Sequence, residues 1–421
     1  IQQFKPGSYQ VYKLPFHMTP HWKIEKQVRY NTFSFNSTIF ASTYDIPSVL
    51  GKIQTYFTEA VYKRCVATER PIACLLSGGL DSSLVTALVN EYHKTHNLPQ
   101  LETYSIGMEG SEDLKYAQKV ADYIGTKHTQ VVVSEEEFVN AIPKVIYDIE
   151  SYDTTTVRAS VGNWLIAKYI SEHSEAKVIF NGDGADELMG GYLYMKEAGN
   201  CIEFDKECKR LLSNIHQFDV LRSDRCISSH GLEPRTPFLD RTWVNYYLSL
   251  PMKLRYSKER QEKYLIRKAF DTEHYKNKEG RELLPSDILW RRKEAFSDGV
   301  SNEKTTTKDI IYKHIHNLDG DQQFASIFED HNIDNKEHIL KLVKMFPETK
   351  HITQLLPETL EQFYYRYVFE LHYKHCGKVI PYFWMPKYVN AQDSSARTLD
   401  IYNDDQETNY AILPNAPDEI A

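Results

Sequence analysis

The chain has 421 residues, 41% of them hydrophobic, which is enough for one large domain or two smaller ones. Its formal net charge of −8, without a long Lys/Arg block, argues against a nucleic-acid partner, because binding to a phosphate backbone needs a concentrated basic surface. The sequence has no apolar run long enough to span a membrane, and its six cysteines form no C-x-x-C pair, so we expect reduced thiols and a cytoplasmic location.

The first predicted elements are two short extended pieces. Residues 9–14 and 28–33 carry strand-forming residues, and Pro-containing breaks lie beside them. Because this stretch is too short for a core of its own, we interpret residues 1–35 as the end of a preceding domain. From Ile46 onwards, apolar residues at helical spacing predict a helix that leads to a strand at residues 72–76.

Strands and helices then alternate. The apolar spacing predicts helices at 82–92, 112–124, 135–149 and 164–170, and strands at 101–106, 128–133 and 177–181. Ser111 and Gly125 fit the two ends of the second of these helices, and Ser134 with Glu137 fits a capping box. The alternation predicts an α/β fold, a parallel sheet with helices on both faces and with ligands at the carboxyl ends of its strands. A mainly helical part follows residue 201.

The junction between the strand at 72–76 and the next helix reads Ser77-Gly78-Gly79-Leu80-Asp81-Ser82-Ser83. Glycines there allow successive backbone amides to point at one anion, and the helix start adds its positive dipole end. The loop lacks the Lys of a Walker loop. It resembles instead the PP-loop of ATP pyrophosphatases, which use ATP to adenylate a substrate oxygen. The alternative is a close-packed turn without a ligand.

A second motif, Asn181-Gly182-Asp183-Gly184-Ala185-Asp186-Glu187, ends another predicted strand and brings three carboxylates together. Clustered carboxylates repel one another, so a Mg²⁺ ion or a proton-handling role explains them. A solvated acidic turn is the alternative.

Two further motifs supply hydroxyls and cations. A Thr-rich stretch ahead of the helix predicted at 164–170 places Thr155, Thr156 and Arg158 at a helix start, and a guanidinium there can clamp a carboxylate or a phosphate through two hydrogen bonds. The stretch 291–299 contains Lys293, which can neutralise a leaving pyrophosphate. Each cation taken alone also fits a surface ion pair.

In this order, the four motifs resemble the synthetase domain of the glutamine-hydrolysing asparagine synthetases, over residues 4–398. The resemblance implies a PP-loop domain at 36–398, a remnant of an N-terminal glutaminase domain at 1–35 and a polar tail at 399–421. It also implies a ligase that converts aspartate and ATP to β-aspartyl-AMP and pyrophosphate. Ammonia, taken from glutamine where the glutaminase domain is present, then gives asparagine and AMP. A homodimer is compatible with this reading.

The same resemblance assigns roles to individual residues. It places ATP and pyrophosphate on Leu76, Ser77, Gly78, Gly79, Asp81, Ser82, Ile106, Asn181 and Gly182. It assigns Mg²⁺ to Asp81 and Asp186, the substrate to Thr155, Thr156 and Arg158, and catalysis to Asp183, Lys293 and Arg158.

The chain departs from the family pattern in the second motif, which usually reads Ser-Gly-Glu-Gly-Ser-Asp-Glu. Asp183 keeps the charge of the usual Glu but is one methylene shorter, so transfer of the ammonia proton needs a water molecule or an inward movement of the loop. Three alternatives therefore stay open: a tRNA-modifying PP-loop enzyme, a related amide-forming synthetase of the β-lactam type, and a catalytically weakened nucleotide-binding homologue.

Overall fold

The N-terminal segment forms an antiparallel hairpin in the computed structural model, which describes residues 4–14, 21–31, 44–293, 299–301, 306–318, 355, 357–391, 393–395 and 399. Strand β1 (Ser8–Lys13) pairs with β2 (Lys23–Arg29). The first predicted extended piece is confirmed. The bounds of the second are wrong, because β2 begins five residues earlier and Tyr30 already donates a hydrogen bond to the carbonyl of Gly7. Pairing between the strands, rather than local composition, sets these bounds.

A second sheet is parallel throughout and has the strand order β5-β4-β3-β6-β7. Its strands are β3 (Ile72–Leu75), β4 (Glu102–Gly107), β5 (Lys127–Val132), β6 (Val178–Phe180) and β7 (Glu233–Arg235). The first four confirm the predicted strands to within a residue or two. Strand β7 was missed, because it has three residues and contains Pro234, a residue that favours the edge position it occupies here.

Helices connect and flank these strands. They are α1 (Ile46–Val66), α2 (Leu80–Thr95), α3 (Glu112–Ile124), α4 (Glu135–Ile149), α5 (Thr154–His173), α6 (Ala185–Met189), α7 (Cys201–Asn214), α8 (Asp219–Ser228), α9 (Arg241–Ser249), α10 (Met252–Arg255), α11 (Tyr264–Ala269), α12 (Ser286–Leu289), α13 (Thr307–Asn317) and α14 (Leu360–His372). Within the described residues, none of them combines the length and apolarity that a membrane crossing requires.

Apolar side chains fill the space on both faces of the parallel sheet. Successive residues of β3 alternate between the two sides: Ile72 and Cys74 pack with residues of α1 and α2, whereas Ala73 packs with residues of α4 and α5. The predicted α/β architecture, with helices on both faces, is therefore confirmed.

Hydrogen bonds at the helix ends correct two predictions. The Thr-rich segment is the helix start that its motif predicts and not a loop ahead of residue 164: Asp153 accepts the amide of Thr156 at 2.9 Å, and α5 begins at Thr154. Ser111 occupies the N-cap position of α3, but its hydroxyl donates to the carbonyl of Gly299 at 2.6 Å instead of capping the helix. The Ser134 capping box and the left-handed Gly125 stop are confirmed.

Candidate active site

A cavity of about 200 Å³ lies where β3, β4 and β6 end, as the parallel topology requires. Most of the residues assigned from the sequence line it. They are Leu76, Ser77, Gly79, Asp81, Ser82, Ile106, Thr155, Thr156, Asn181, Gly182, Asp183, Asp186 and Lys293. Gly78 and Arg158 do not line it.

The Ser/Gly loop has the form expected of an anion-binding turn. The Ser77 and Ser82 hydroxyls lie 3.0 Å apart, so both side chains face the same point, and Gly79 is the N-cap of α2. Gly78 adopts the kind of backbone angle that the motif predicts, and it also makes room for a neighbouring helix. It has a φ of +74°, and a Cβ there would lie 2.5 Å from the backbone of α3 at Ala117, so this glycine allows α3 to approach the loop.

A charge centre joins this loop to the loop after β6. Lys263 Nζ lies 2.5 Å from both Asp81 Oδ2 and Asp186 Oδ1, and Lys293 Nζ lies 2.7 Å from Asp186 Oδ2. Burial opposes ionisation of Asp186, but the two ammonium groups hold the pKa of this carboxyl well below its usual range. Lys263 was missed in the sequence, because it lies in no glycine-rich or acidic motif and reaches the cavity from a distant segment.

The two carboxylates of this centre also fit a divalent cation. Asp81 Oδ1 is buried and has no hydrogen-bond partner among the described residues, so it retains a free ligand position. Carboxylate oxygens are the protein ligands that Mg²⁺ prefers.

An acidic cluster with one arginine forms the neighbouring wall. Arg222 donates to Asp219, and Tyr192 donates to Glu187 at 2.5 Å and to Asp219 at 3.4 Å. Burial raises the pKa of Asp183, while the charge of Arg222 opposes that rise. Arg222 Nε is buried without a hydrogen-bond partner in the described part of the chain, so it is a donor open to a ligand. No sequence signal pointed to Arg222, which belongs to a helix without a motif.

Arg158 does not act as the predicted substrate clamp in this structure. Its guanidinium is buried and is held at 2.5–2.9 Å by the two carboxylates of Glu361 and Asp393. Although burial opposes ionisation, Arg158 lowers the pKa of Asp393 to about 2. The fork geometry predicted for this arginine is present, but the chain supplies its own carboxylates to fill it.

Those contacts fasten a C-terminal strap, by which we mean residues 384–391 and 393–395. Arg158 holds Asp393, and Asp153 Oδ1 accepts the backbone amide of Trp384 at 2.7 Å. Trp384 and Ser394 line the cavity, and the indole ring of Trp384 lies 5.4 Å from the ring of Tyr192. Asp153 and Arg158, at the start of α5, thus hold the strap in place as one wall of the site.

The fourth motif is described only in part. Arg291 and Arg292 line the cavity with Lys293, and Arg291 donates to Asp113 at 3.0 Å while its guanidinium lies over the ring of Tyr116. Residues 294–298 lie outside the described residues.

The Ser/Gly loop follows β3, the central strand of the parallel sheet, and faces paired carboxylates and lysines. This arrangement defines the class of PP-loop ATP pyrophosphatases. The family model described as Asparagine synthase matches residues 52–203 and 200–344. The chain belongs to that family.

Two relatives illustrate the similarity in sequence, and one solved structure matches at low identity. The asparagine synthetase [glutamine-hydrolyzing] of Gallus gallus is 41% identical over 413 residues, which cover 96% of this chain and 68% of that protein. The Homo sapiens protein of the same name is 40% identical over the same shares. Among solved structures, NMN synthetase from Francisella tularensis has a TM-score of 0.29 and 12% identity, over 73% of this chain and 95% of that chain.

Proposed function

We propose that this chain catalyses ATP-dependent synthesis of asparagine. The observation that carries the proposal is one cavity that combines the Ser77–Ser82 anion loop, the centre formed by Asp81, Asp186 and two lysines, and the half-buried Asp183. The anion loop suits a nucleotide, the charge centre suits a departing pyrophosphate, and Asp183 is suited to accept a proton. We also propose that residues 36–398 form the synthetase domain.

In the first half-reaction, an oxygen of the aspartate β-carboxylate attacks the α-phosphorus of ATP. The bond from that phosphorus to the bridging oxygen breaks, and pyrophosphate leaves with the electron pair. Lys293 and the hydroxyls of Ser77 and Ser82 stabilise the charge that develops there, because preorganised cations and donors act most strongly where charge appears. Mg²⁺, held by Asp81 and Asp186, would neutralise phosphate charge.

The amino-acid substrate fits the wall formed by Arg222 and the strap. Arg222 Nε, Trp384 Nε1 and Thr155 Oγ1 are buried donors of the cavity lining without hydrogen-bond partners among the described residues. A dicarboxylate supplies acceptors for such donors, and the adjacent Asp219 and Glu187 suit its ammonium group. In this reading Arg158 supports the site through the strap and does not touch aspartate.

In the second half-reaction, ammonia attacks the acyl carbon of β-aspartyl-AMP and AMP leaves. The nitrogen must lose a proton, and Asp183 is the acceptor that we propose. Free ammonium serves as the nitrogen source in our test. Supply by glutamine, assembly as a homodimer and a cytoplasmic location remain predictions.

The test uses ATP, Mg²⁺, ammonium and aspartate labelled with ¹⁸O in its β-carboxylate. We expect AMP and pyrophosphate in equal amounts, asparagine as the other product, and one ¹⁸O atom transferred to the phosphate of AMP. Formation of ADP and phosphate, or of unlabelled AMP, would contradict adenylation. A parallel filter-binding assay with tRNA addresses the tRNA-modifying alternative, which requires retention of tRNA.

A further inference from the structure

The ammonium of Lys263 occupies the space between the two aspartates proposed to hold Mg²⁺. It lies 2.5 Å from one oxygen of Asp81 and 2.5 Å from one oxygen of Asp186, and the Lys263 side chain is only 1% exposed. A buried ammonium is costly unless carboxylates pair with it, and here two carboxylates from different loops do so. Lys263 therefore does what a metal ion does in such a pair: it cancels the repulsion between the carboxylates.

The surrounding backbone is shaped for this lysine. Lys263 has a φ of +59°, a left-handed conformation that costs free energy for a residue with a side chain. A Cβ at Gly191 would lie 2.1 Å from Lys263 Cε, so only glycine leaves room for the lysine side chain. On either side, Gln261 and Arg267 donate to backbone carbonyls of the 289–291 segment, which leads to Lys293.

We propose that Lys263 is the resident cation of the Asp81–Asp186 pair, and that a divalent ion competes with it for the same oxygens. The four charges of Asp81, Asp186, Lys263 and Lys293 sum to zero, so a divalent ion arriving alone leaves an excess of positive charge in a buried place. Phosphate groups that arrive with the ion remove that excess. Lys263 is thus a positioning residue that couples metal entry to nucleotide entry. The inference rests on the proposed function for the identity of the ion as Mg²⁺.

The experiment measures Mn²⁺ binding without nucleotide, by electron paramagnetic resonance of the free ion, in the wild type, Lys263→Gln and Lys144→Gln. Lys144 is the control, because its ammonium pairs with the single carboxylate of Asp148, at 2.7 Å, outside the cavity, and its loss leaves no pair of carboxylates to take up an ion. We expect Lys263→Gln to bind Mn²⁺ about tenfold or more tightly than the wild type, since a nearby charge changes the proton affinity of a carboxylate by about ten- to a thousandfold. Lys144→Gln should match the wild type.

Lys263→Met is the second variant, because it keeps an unbranched side chain as far as Cε without the charge and should show the same gain if Lys263→Gln fails to fold. Equal or weaker Mn²⁺ binding in the folded variant overturns the inference, even if the wild type makes asparagine. Tighter binding supports it, even if aspartate proves not to be the acid that is adenylated, so the two proposals fail separately.

Discussion

Asp183 is a half-buried carboxyl whose reach is one methylene shorter than that of the usual family residue, and it faces Arg222 and Ser223 on α8. If that reach limits proton transfer from ammonia, Asp183→Glu should raise the ammonia-dependent rate. Asp183→Asn should lower asparagine formation by about 10²- to 10⁴-fold, the usual loss for a general base, and leave ATP–pyrophosphate exchange largely intact. Loss of exchange in Asp183→Asn would assign the residue to the nucleotide instead.

Arg222 offers a second prediction at the residue scale. Because its Nε is an unused buried donor of the cavity, Arg222→Gln should raise the KM for aspartate by about 10- to 100-fold, as expected for a lost hydrogen bond to a charged group. ATP affinity, measured by direct binding, should change little. The control is Arg225→Gln on the same helix, where Arg225 pairs at the surface with Glu150. Equal effects of the two substitutions on the KM would exclude Arg222 from the substrate site.

The sequence pointed to the two loops that line one side of the cavity, but it did not point to the cationic side chains that join them from elsewhere, and the reason is local chemistry. Ser77, Asp81 and Asp186 lie in short motifs whose composition marks them as candidate site residues. Lys263 and Arg222 reach the cavity only because distant helices pack beside it, and no nearby residue marks them. Arg158 shows the reverse case: its residue type predicted a clamp on a carboxylate or a phosphate, and tertiary packing supplies the carboxylates of Glu361 and Asp393 for it.

At the scale of elements, the strap depends on its anchor at Arg158. Asp393→Asn removes one carboxylate and leaves the pair between Arg158 and Glu361 in place, so α5 and α14 should stay joined. We expect a KM for aspartate about tenfold higher, because Trp384 and Ser394 lose their support, with little change in ATP binding. A red shift of tryptophan emission would report the displaced strap. Unchanged emission and an unchanged KM would show that the strap does not need this ion pair.

The carboxyl of Asp153, at the start of α5, makes the stability of the folded state depend on pH. Burial raises the pKa of this carboxyl to about 6, against the effect of its hydrogen bonds to Trp384 and Thr156, whereas its ordinary value is 3.8. As the pH rises, the unfolded chain therefore loses the Asp153 proton before the folded state does. The stability contributed by Asp153 is complete below about pH 4 and is lost as the pH rises through 6.

Asp153→Asn should remove that contribution. The difference in Tm between the wild type and the variant should favour the wild type most at about pH 4.5 and shrink toward pH 7. Calorimetry at both pH values measures it. A constant difference would show that the Asp153 carboxyl does not titrate in this range.

The start of a helix was predictable where neighbouring residues cap it, as in the Ser134 capping box. It was not predictable where a candidate capping side chain has another partner in the fold, as Ser111 has at Gly299. Three threonines in a row suggested a loop, but the carboxylate of Asp153 captures the amide of Thr156 and starts a helix there. Strand β7 exists only because β6 offers an edge to pair with, which no local pattern can reveal.

At the scale of the whole molecule, the cavity is walled by segments that lie far apart in the chain, from Ser77 to Ser394, so a ligand that touches all of them should stabilise the fold. Mg²⁺ alone would add positive charge to a centre that is already neutral, and ATP alone would bring phosphates against Asp81 and Asp186. When both bind, the positive charge of Mg²⁺ and the negative charge of the phosphates cancel each other.

We therefore expect Mg²⁺ and ATP to raise Tm by more than the sum of their separate effects, with a combined stabilisation of about 2.7 kcal/mol at 100 times the Kd. Asp81→Asn should abolish the excess over additivity, and Asp122→Asn, an exposed carboxylate on α3, should keep it. Additive shifts in the wild type would mean that the metal and the nucleotide bind independently of the charge balance at Lys263 and Lys293.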